Sequence, residues 1–338
     1  MSITSNKVLV LFGPTAVGKT AALARLANDD RSALGPVVVI SADALQVYRG
    51  MDIGTAKPTL AERAVLPHEL VDIRDPDQSF SVAEFVRLAD ETCDRVLAAG
   101  AMPAVSGGTA YYIKAFLYGV PVTPPSDPEV RRQIQSDMEL RGVAAMREEL
   151  LAVDPVSASR IKSADLYRLS RAIEVYRCSG KPLSSYELPE STRARWNTLV
   201  LGMDRPRSEL YARIHARVDA MIAAGLADEV SGLVKAGYGP DSPGMKAIGY
   251  REFLAQSTAA TPSPVTGAGT DTTLQADMVA IAESIKLNTR HYAKRQLTFM
   301  RSIPGTRWFD ADDTDGIYET VSSWWADRHS REPAQENH

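Results

Sequence analysis

"GPTAVGKT", residues 13–20, follows the apolar run "VLVLF" and precedes the helix-favouring "AALARLA". Gly13, Gly18, Lys19 and Thr20 complete the pattern G-x-x-x-x-G-K-[ST] between a strand-like and a helix-like stretch, the setting that a phosphate cradle requires. Gly13, Pro14, Thr15, Ala16, Val17, Gly18, Lys19 and Thr20 form the loop: its amides turn inward with a helix N-terminus behind them. Lys19 adds a point charge and Thr20 a hydroxyl for Mg²⁺. On its own, such a cradle suggests an ATP-dependent enzyme.

Working outward, residues 7–12, "PVVVI" (36–40) and "AMPAVSGGT" (101–109) read as short buried parallel strands separated by helices. The fold class is therefore α/β, a P-loop NTPase-like parallel sheet flanked by helices. The cradle helix should run from Lys19 to Asn28. A second helix fits 81–100, with Ser81 as N-cap, Glu84 closing a capping box and Gly100 at the C-cap. Asp43 falls just past the end of the second strand, where open sheets collect ligands. An acid there can hold Mg²⁺ through water, take a proton from a nucleophile, or simply cap the next turn. "SGGTAYY" brings Ser106, Gly107, Gly108 and Thr109 to the same sheet edge.

After "VPVTPPSDP" (120–128) the pattern turns wholly helical until about Arg195, and "NTLVLGM" (197–203) returns to strand. Residues 1–124 and 196–310 thus form a discontinuous core around an inserted helical domain, 125–195. Helices follow at 207–225, 226–236 and from about Ala276 to Arg301. The Thr, Ala, Gly and Pro-rich stretch 255–275 reads as a flexible loop, and 311–338 as an acidic tail.

Net charge is −4, with −6 on residues 309–338 and +2 on the rest, which excludes general coating of nucleic acid and requires any polyanion to bind focally. Cys93 and Cys178 lack metal-site spacing and read as small buried apolar groups. Five consecutive apolar residues near the start are too few for a signal or membrane segment, so a cytoplasmic protein, monomeric and without membrane contact, is expected.

"KLNTRHYAKRQLTFMR" (286–301) holds Lys286, Arg290, Lys294, Arg295 and Arg301 and no acid; the first three share one helical face, with His291 and Tyr292 alongside, and point to nucleic acid. In the inserted domain, "RIKSADLYRLSRAIEVYR" (160–177) adds a second basic stretch. Arg213 and Arg217 are spaced i, i+4, and spacing alone leaves open whether they bind an anion or pair with Glu209 and Asp219.

The cradle, "SADALQVYRGMDIGTAKPT" (41–59), "PHELVDIRDPDQSFSVAEF" (67–85), "YRLSRAIEVYRCSGKPLS" (167–184), "MKAIGYREF" (245–253) and "RHYAKRQLTFMR" (290–301) together resemble the bacterial tRNA dimethylallyltransferases, in order from residue 8 to about 310. Ala44 and Leu45 replace the Ser and Met of many members, and Phe299 a common Trp. The resemblance implies that the cradle holds dimethylallyl diphosphate, with Mg²⁺ near Thr20. It implies that Asp43 is the general base, that Lys19, Thr20 and Arg217 stabilise the leaving diphosphate, and that Thr109 and the turn Asp43, Ala44, Leu45 and Gln46 receive an adenine. It further implies that the tRNA anticodon stem-loop is held by Arg131, by Tyr167, Arg168, Leu169, Ser170 and Arg171, by Lys246, Ala247, Ile248, Gly249, Tyr250 and Arg251, and by Lys294, Arg295, Gln296 and Arg301. A P-loop small-molecule kinase and an RNA-binding module with a vestigial core are the competing readings. The first gives no role to "MDIGTAKPT" and "YAKRQLTF", and the second is opposed by the intact Lys19, Thr20 and Asp43.

Overall fold

The computed structural model describes residues 6–28, 34–121, 123–186, 190–259 and 271–327. Six parallel strands, β1 (Lys7–Phe12), β2 (Val37–Ser41), β3 (His68–Glu69), β4 (Met102–Gly107), β5 (Asn197–Asp204) and β6 (Arg307–Asp310), lie in the order β3-β2-β4-β1-β5-β6. Every residue of β1 and β4 is buried, as a parallel sheet covered on both faces demands. The strands read from the sequence match β1, β2, β4 and β5 closely. The edge strands β3 and β6, with 2 and 4 residues, were too short to leave a pattern.

The helices, in chain order, are α1 (Lys19–Asn28), α2 (Leu60–Val65), α3 (Val82–Ala98), α4 (Ala110–Tyr118), α5 (Pro128–Val153), α6 (Pro155–Arg160), α7 (Leu166–Ser179), α8 (Arg207–Ala223), α9 (Leu226–Lys235), α10 (Arg251–Ala259), α11 (Asp271–Met300) and α12 (Thr314–Ala326). Ser81 caps α3 by accepting from the Glu84 amide at 3.1 Å. The expected capping box is not completed, because the Glu84 carboxylate pairs with Arg74 instead. The chain leaves α3 through Gly100 at φ +75°. Cys93 is buried as expected, whereas Cys178 is exposed. Among the described residues no helix is long and apolar enough to cross a membrane.

The chain divides into two compact units, 1–117 with 193–338, and 118–192. In the first, Leu23 and Leu26 of α1, Leu210 and Ile214 of α8 and Ile317, Tyr318 and Val321 of α12 share one core with the sheet. The segment beyond 310, set apart on charge, therefore contributes a core helix; residues 328–338 lie outside the described residues. The expected loop 255–275 is helical at both ends, since 255–259 closes α10 and 271–275 opens α11, while 260–270 lies outside the described residues.

The second unit packs α5, α6 and α7 around Ile134, Met146, Leu150, Leu169 and Ile173, with α5 broken at Gly142 (φ +78°). Its organising charge is Glu174, fully buried. That carboxylate accepts from Ser126 Oγ (2.6 Å), the Asp127 amide (2.9 Å) and Arg171 (2.8 Å). Burial works to raise its pKa, but these hydrogen bonds and the nearby Arg131 hold it below the usual carboxylate range.

Gly107 closes β4 where a Cβ would stand 2.1 Å from the Ala42 carbonyl oxygen. Gly107→Ala is therefore expected to push apart the strand ends that carry Asp43 and Thr109, at a cost of roughly 1–3 kcal/mol, and to lower the calorimetric Tm by several degrees.

Candidate active site

The cradle forms where β1 runs into α1. Its turn needs unusual backbone: Ala16 has φ +64° and Gly18 φ +115°, and a Cβ on Gly13 would stand 2.7 Å from the Met203 carbonyl oxygen. Lys19 Nζ donates to the carbonyls of Gly13 and Pro14, each at 3.0 Å. Burial pushes its pKa down to about 8; the Asp43 carboxylate opposes that shift and Arg217 adds to it. The Arg217 guanidinium, enclosed beside the loop, donates to Thr15 Oγ1 at 3.4 Å and is likewise lowered by burial, against the pull of Asp43. Arg213 Nε donates to the Ala16 carbonyl at 2.9 Å. The question that spacing left open is thereby answered: Glu209 pairs with Arg205 and Asp219 with Lys286, so Arg213 and Arg217 face the cradle.

Asp43 sits past the end of β2, and the structure shows one of the roles considered for it, the capping of the next turn. Its Oδ1 accepts from the amides of Leu45 (2.9 Å) and Gln46 (3.4 Å), fixing the turn, while the residue lines a cavity of about 420 Å³ together with Lys19 and Thr20. Thr109 Oγ1 accepts from the Ala44 amide at 2.9 Å, binding the β4 end to the same turn. Gln46 is held by Ser41 Oγ at 3.0 Å and donates to the Ala56 carbonyl at 3.3 Å. Beyond the turn, loop 48–57 is staked down by two charges. Buried Lys57 reaches the Tyr48 carbonyl (2.7 Å), Asp52 (2.5 Å) and Asp72 (2.6 Å). Glu229 of α9 accepts from the amides of Asp52, Ile53 and Gly54.

From α11, Gln296 is buried between two loops: its Oε1 accepts from the Thr15 amide at 3.0 Å and its Nε2 donates to the Gly108 carbonyl at 2.6 Å. One turn earlier, the Tyr292 ring lines the cavity near Asp43. Burial pushes its phenol up to about 12; the Asp43 charge adds to the shift and hydrogen bonds from Thr109 and Gln296 oppose it. Tyr292 was legible only as a neighbour of the basic stripe. Nothing in the sequence marked it as a cavity residue, because its placement depends on how α11 crosses the sheet edge.

Thr15, Ala44, Leu45, Lys246, Ala247, Ile248, Gly249, Arg251 and Arg295 also line the cavity, whose apolar wall includes Ile214, Val218, Met221 and Ile285. Other expected residues lie elsewhere. Tyr250 is fully buried, with its hydroxyl donating to Glu229 at 2.7 Å, and Leu169 is buried in the helical unit, so neither side chain is on a surface. In that unit Arg171 is committed to Glu174 and the Pro124 carbonyl, and Ser170 Oγ bonds back to Leu166. Tyr167 is 70% exposed, with the Arg131 guanidinium 5.9 Å from its ring centroid, and Arg168 is exposed beside Asp165. On α11 the basic stripe is interrupted: Lys286 pairs with Asp219 at 2.7 Å and Glu283 at 2.9 Å, while Lys294 stays exposed. Arg301 pairs with Asp204 at 2.6 Å. Among the described residues no group of three or more His, Cys, Asp or Glu is placed to hold a metal ion.

The arrangement offers an anion cradle, a carboxylate and an apolar wall in one cavity, which suits transfer of an apolar group from a phosphate ester. A family model described as IPP transferase matches residues 46–303. The tRNA dimethylallyltransferase of Syntrophobacter fumaroxidans is 40% identical over 323 residues, spanning 95% of this chain and 89% of its own. That of Geobacillus kaustophilus is 40% identical over 310 residues, covering 91% and 92%. Among solved structures, the full-length tRNA isopentenylpyrophosphate transferase of Bacillus halodurans superposes with TM-score 0.64 at 32% identity, over 95% of this chain and 97% of that one. A eukaryotic dimethylallyltransferase captured acting on tRNA gives TM-score 0.71 at 25% identity, over 95% and 78%. Agreement of this extent in sequence and in fold leaves one conclusion: the chain belongs to the IPP transferase family of tRNA dimethylallyltransferases.

Proposed function

We propose that the protein transfers the dimethylallyl group of dimethylallyl diphosphate to N6 of adenine 37, next to the anticodon, in tRNAs reading codons that begin with U, and releases inorganic diphosphate. The observation that carries this reading is the shared cavity, lined by Lys19, Thr20 and Asp43 together with the apolar Ile214, Val218, Met221 and Ile285. The exocyclic amine of adenine is a poor nucleophile, since its lone pair is drawn into the ring. Asp43 takes its proton as the N6–C1 bond forms, and the electron pair of the breaking C1–O bond leaves on the diphosphate. Lys19, Arg217 and the loop amides meet that growing charge. The apolar wall keeps water from the allylic carbon.

Thr20 is the residue suited to Mg²⁺, because it carries a hydroxyl and lines the cavity, and Mg²⁺ is satisfied by one or two protein oxygens with substrate phosphates and water. When bound there, Mg²⁺ supplies additional positive charge to the diphosphate. The flipped adenine rests against the turn Asp43–Gln46 and Thr109. The stem-loop backbone is held by exposed cations, Arg131 and Arg168 with Tyr167 on the helical unit, and Lys246, Arg251, Lys294, Arg295 and Arg301 on the core unit. Leu169, Tyr250 and Gln296 serve as supports for these surfaces.

The direct test incubates purified protein with labelled dimethylallyl diphosphate and unmodified tRNA, with and without ATP. Label should appear in tRNA equally in both, and ATP-dependent phosphate transfer in its place would overturn the reading.

Asp43→Asn keeps an oxygen for the Leu45 and Gln46 amides but removes the base; kcat should fall by roughly 10²–10⁴ while diphosphate binding persists in calorimetry. The pH profile follows from Lys19. Its lowered pKa leaves it charged below about 8 and neutral above, so kcat/KM for dimethylallyl diphosphate should decline as pH rises through about 8. Lys19→Arg, which stays charged, should lose that alkaline limb whatever its absolute rate. Replacing Lys294 and Arg295 by Gln should weaken tRNA binding and make log Kd less steep in log salt, read by filter binding at several salt concentrations.

A further inference from the structure

Two peptide carbonyls of the cradle are held by arginines from the same stretch of chain. Arg213 Nε holds the Ala16 carbonyl, and Arg205 Nε, between β5 and α8, donates to the Val17 carbonyl at 2.9 Å. The Arg205 side chain is only 6% exposed and is absent from the cavity lining, so it acts on the site only through the loop. Its far end is gripped on two sides, by Glu209 of α8 and by a bidentate pair with Asp312 at 2.5 and 2.8 Å. Asp312 follows β6, and its amide is bonded in turn to Asp310 Oδ1 at 2.9 Å.

In a trans peptide the C=O and N–H point in opposite directions. Holding the Val17 carbonyl on the arginine side therefore aims the Gly18 N–H the other way. Gly18, at φ +115°, occupies backbone space that glycine enters at no cost and from which it can also leave. We infer that Arg205, anchored by Asp312, is a positioning residue that locks the Val17–Gly18 peptide so that the Gly18 amide faces the diphosphate. The inference rests on the diphosphate reading of the cradle. It ties the segment after β6 to substrate binding, although none of the described residues of that segment lines the cavity.

The test exploits a sign. Asp312 is a negative charge near an anion site, so if it acted only through its charge, Asp312→Asn would tighten diphosphate binding. Positioning requires the opposite. Titration calorimetry with Mg²⁺ and inorganic diphosphate should give a Kd raised about threefold for Asp312→Asn and roughly tenfold or more for Arg205→Gln, the scale of one charged-group hydrogen bond. The KM for dimethylallyl diphosphate should follow these values while the KM for tRNA stays unchanged. Asp312 is 71% exposed, so its variant keeps the test alive should Arg205→Gln fail to fold. Unchanged or tighter diphosphate binding by Asp312→Asn overturns the inference. A parent protein that binds no diphosphate overturns the proposed function instead.

Discussion

One buried amide sets the spacing on which the site depends. Gln296 accepts from Thr15 in the cradle and donates to Gly108 at the end of β4, so a single side chain spans the gap between the anion site and the loops that carry Asp43 and Thr109. Gln296 is buried, and losing its bond to the Thr15 amide would remove a buried hydrogen bond, which costs about 1–3 kcal/mol when a group is left unpaired. A helix that arrives from the far end of the sequence thereby fixes the cradle against the end of β4. The same turn of α11 brings Tyr292 beside Asp43.

Charge balance around the cavity follows from that spacing. Lys19 and Arg217 are both enclosed and both destabilised as cations by loss of water, and Asp43 is the carboxylate that partly offsets this for each. In the proposed function, a diphosphate entering the cradle would supply what the two cations lack and would free Asp43 from acting as their counterion. On that reading, binding of the anion and availability of the carboxylate would be linked through ordinary electrostatics in a confined space.

The central sheet was legible because β1, β2 and β4 are almost wholly buried and β5 is buried over most of its second half, so all four are written as apolar runs. The cradle was legible because its spacing is dictated by backbone geometry. What escaped depends on contacts between distant segments. The stripe from Lys286 to Lys294 contains no acid of its own, but Asp219 of α8 and Glu283 one turn earlier neutralise its first member. Arg171 and Leu169 sit in a basic-looking stretch of α7, yet buried Glu174 and the core of the helical unit claim them. The acidic stretch after 310 looked like a solvated tail because its charges outnumber the three buried residues of α12, Ile317, Tyr318 and Val321, that seat it on α1.

The strand order also determines how the molecule is made. β1 is central, paired with β4 on one side and with β5 on the other, where Lys7 meets Asn197. On the ribosome, then, one flank of the first strand stays without its hydrogen-bonding neighbour until nearly two hundred residues have emerged, a closure across most of the gene that favours slow completion of the sheet. The stretch 118–192 has its own apolar centre, so its packing does not depend on that closure.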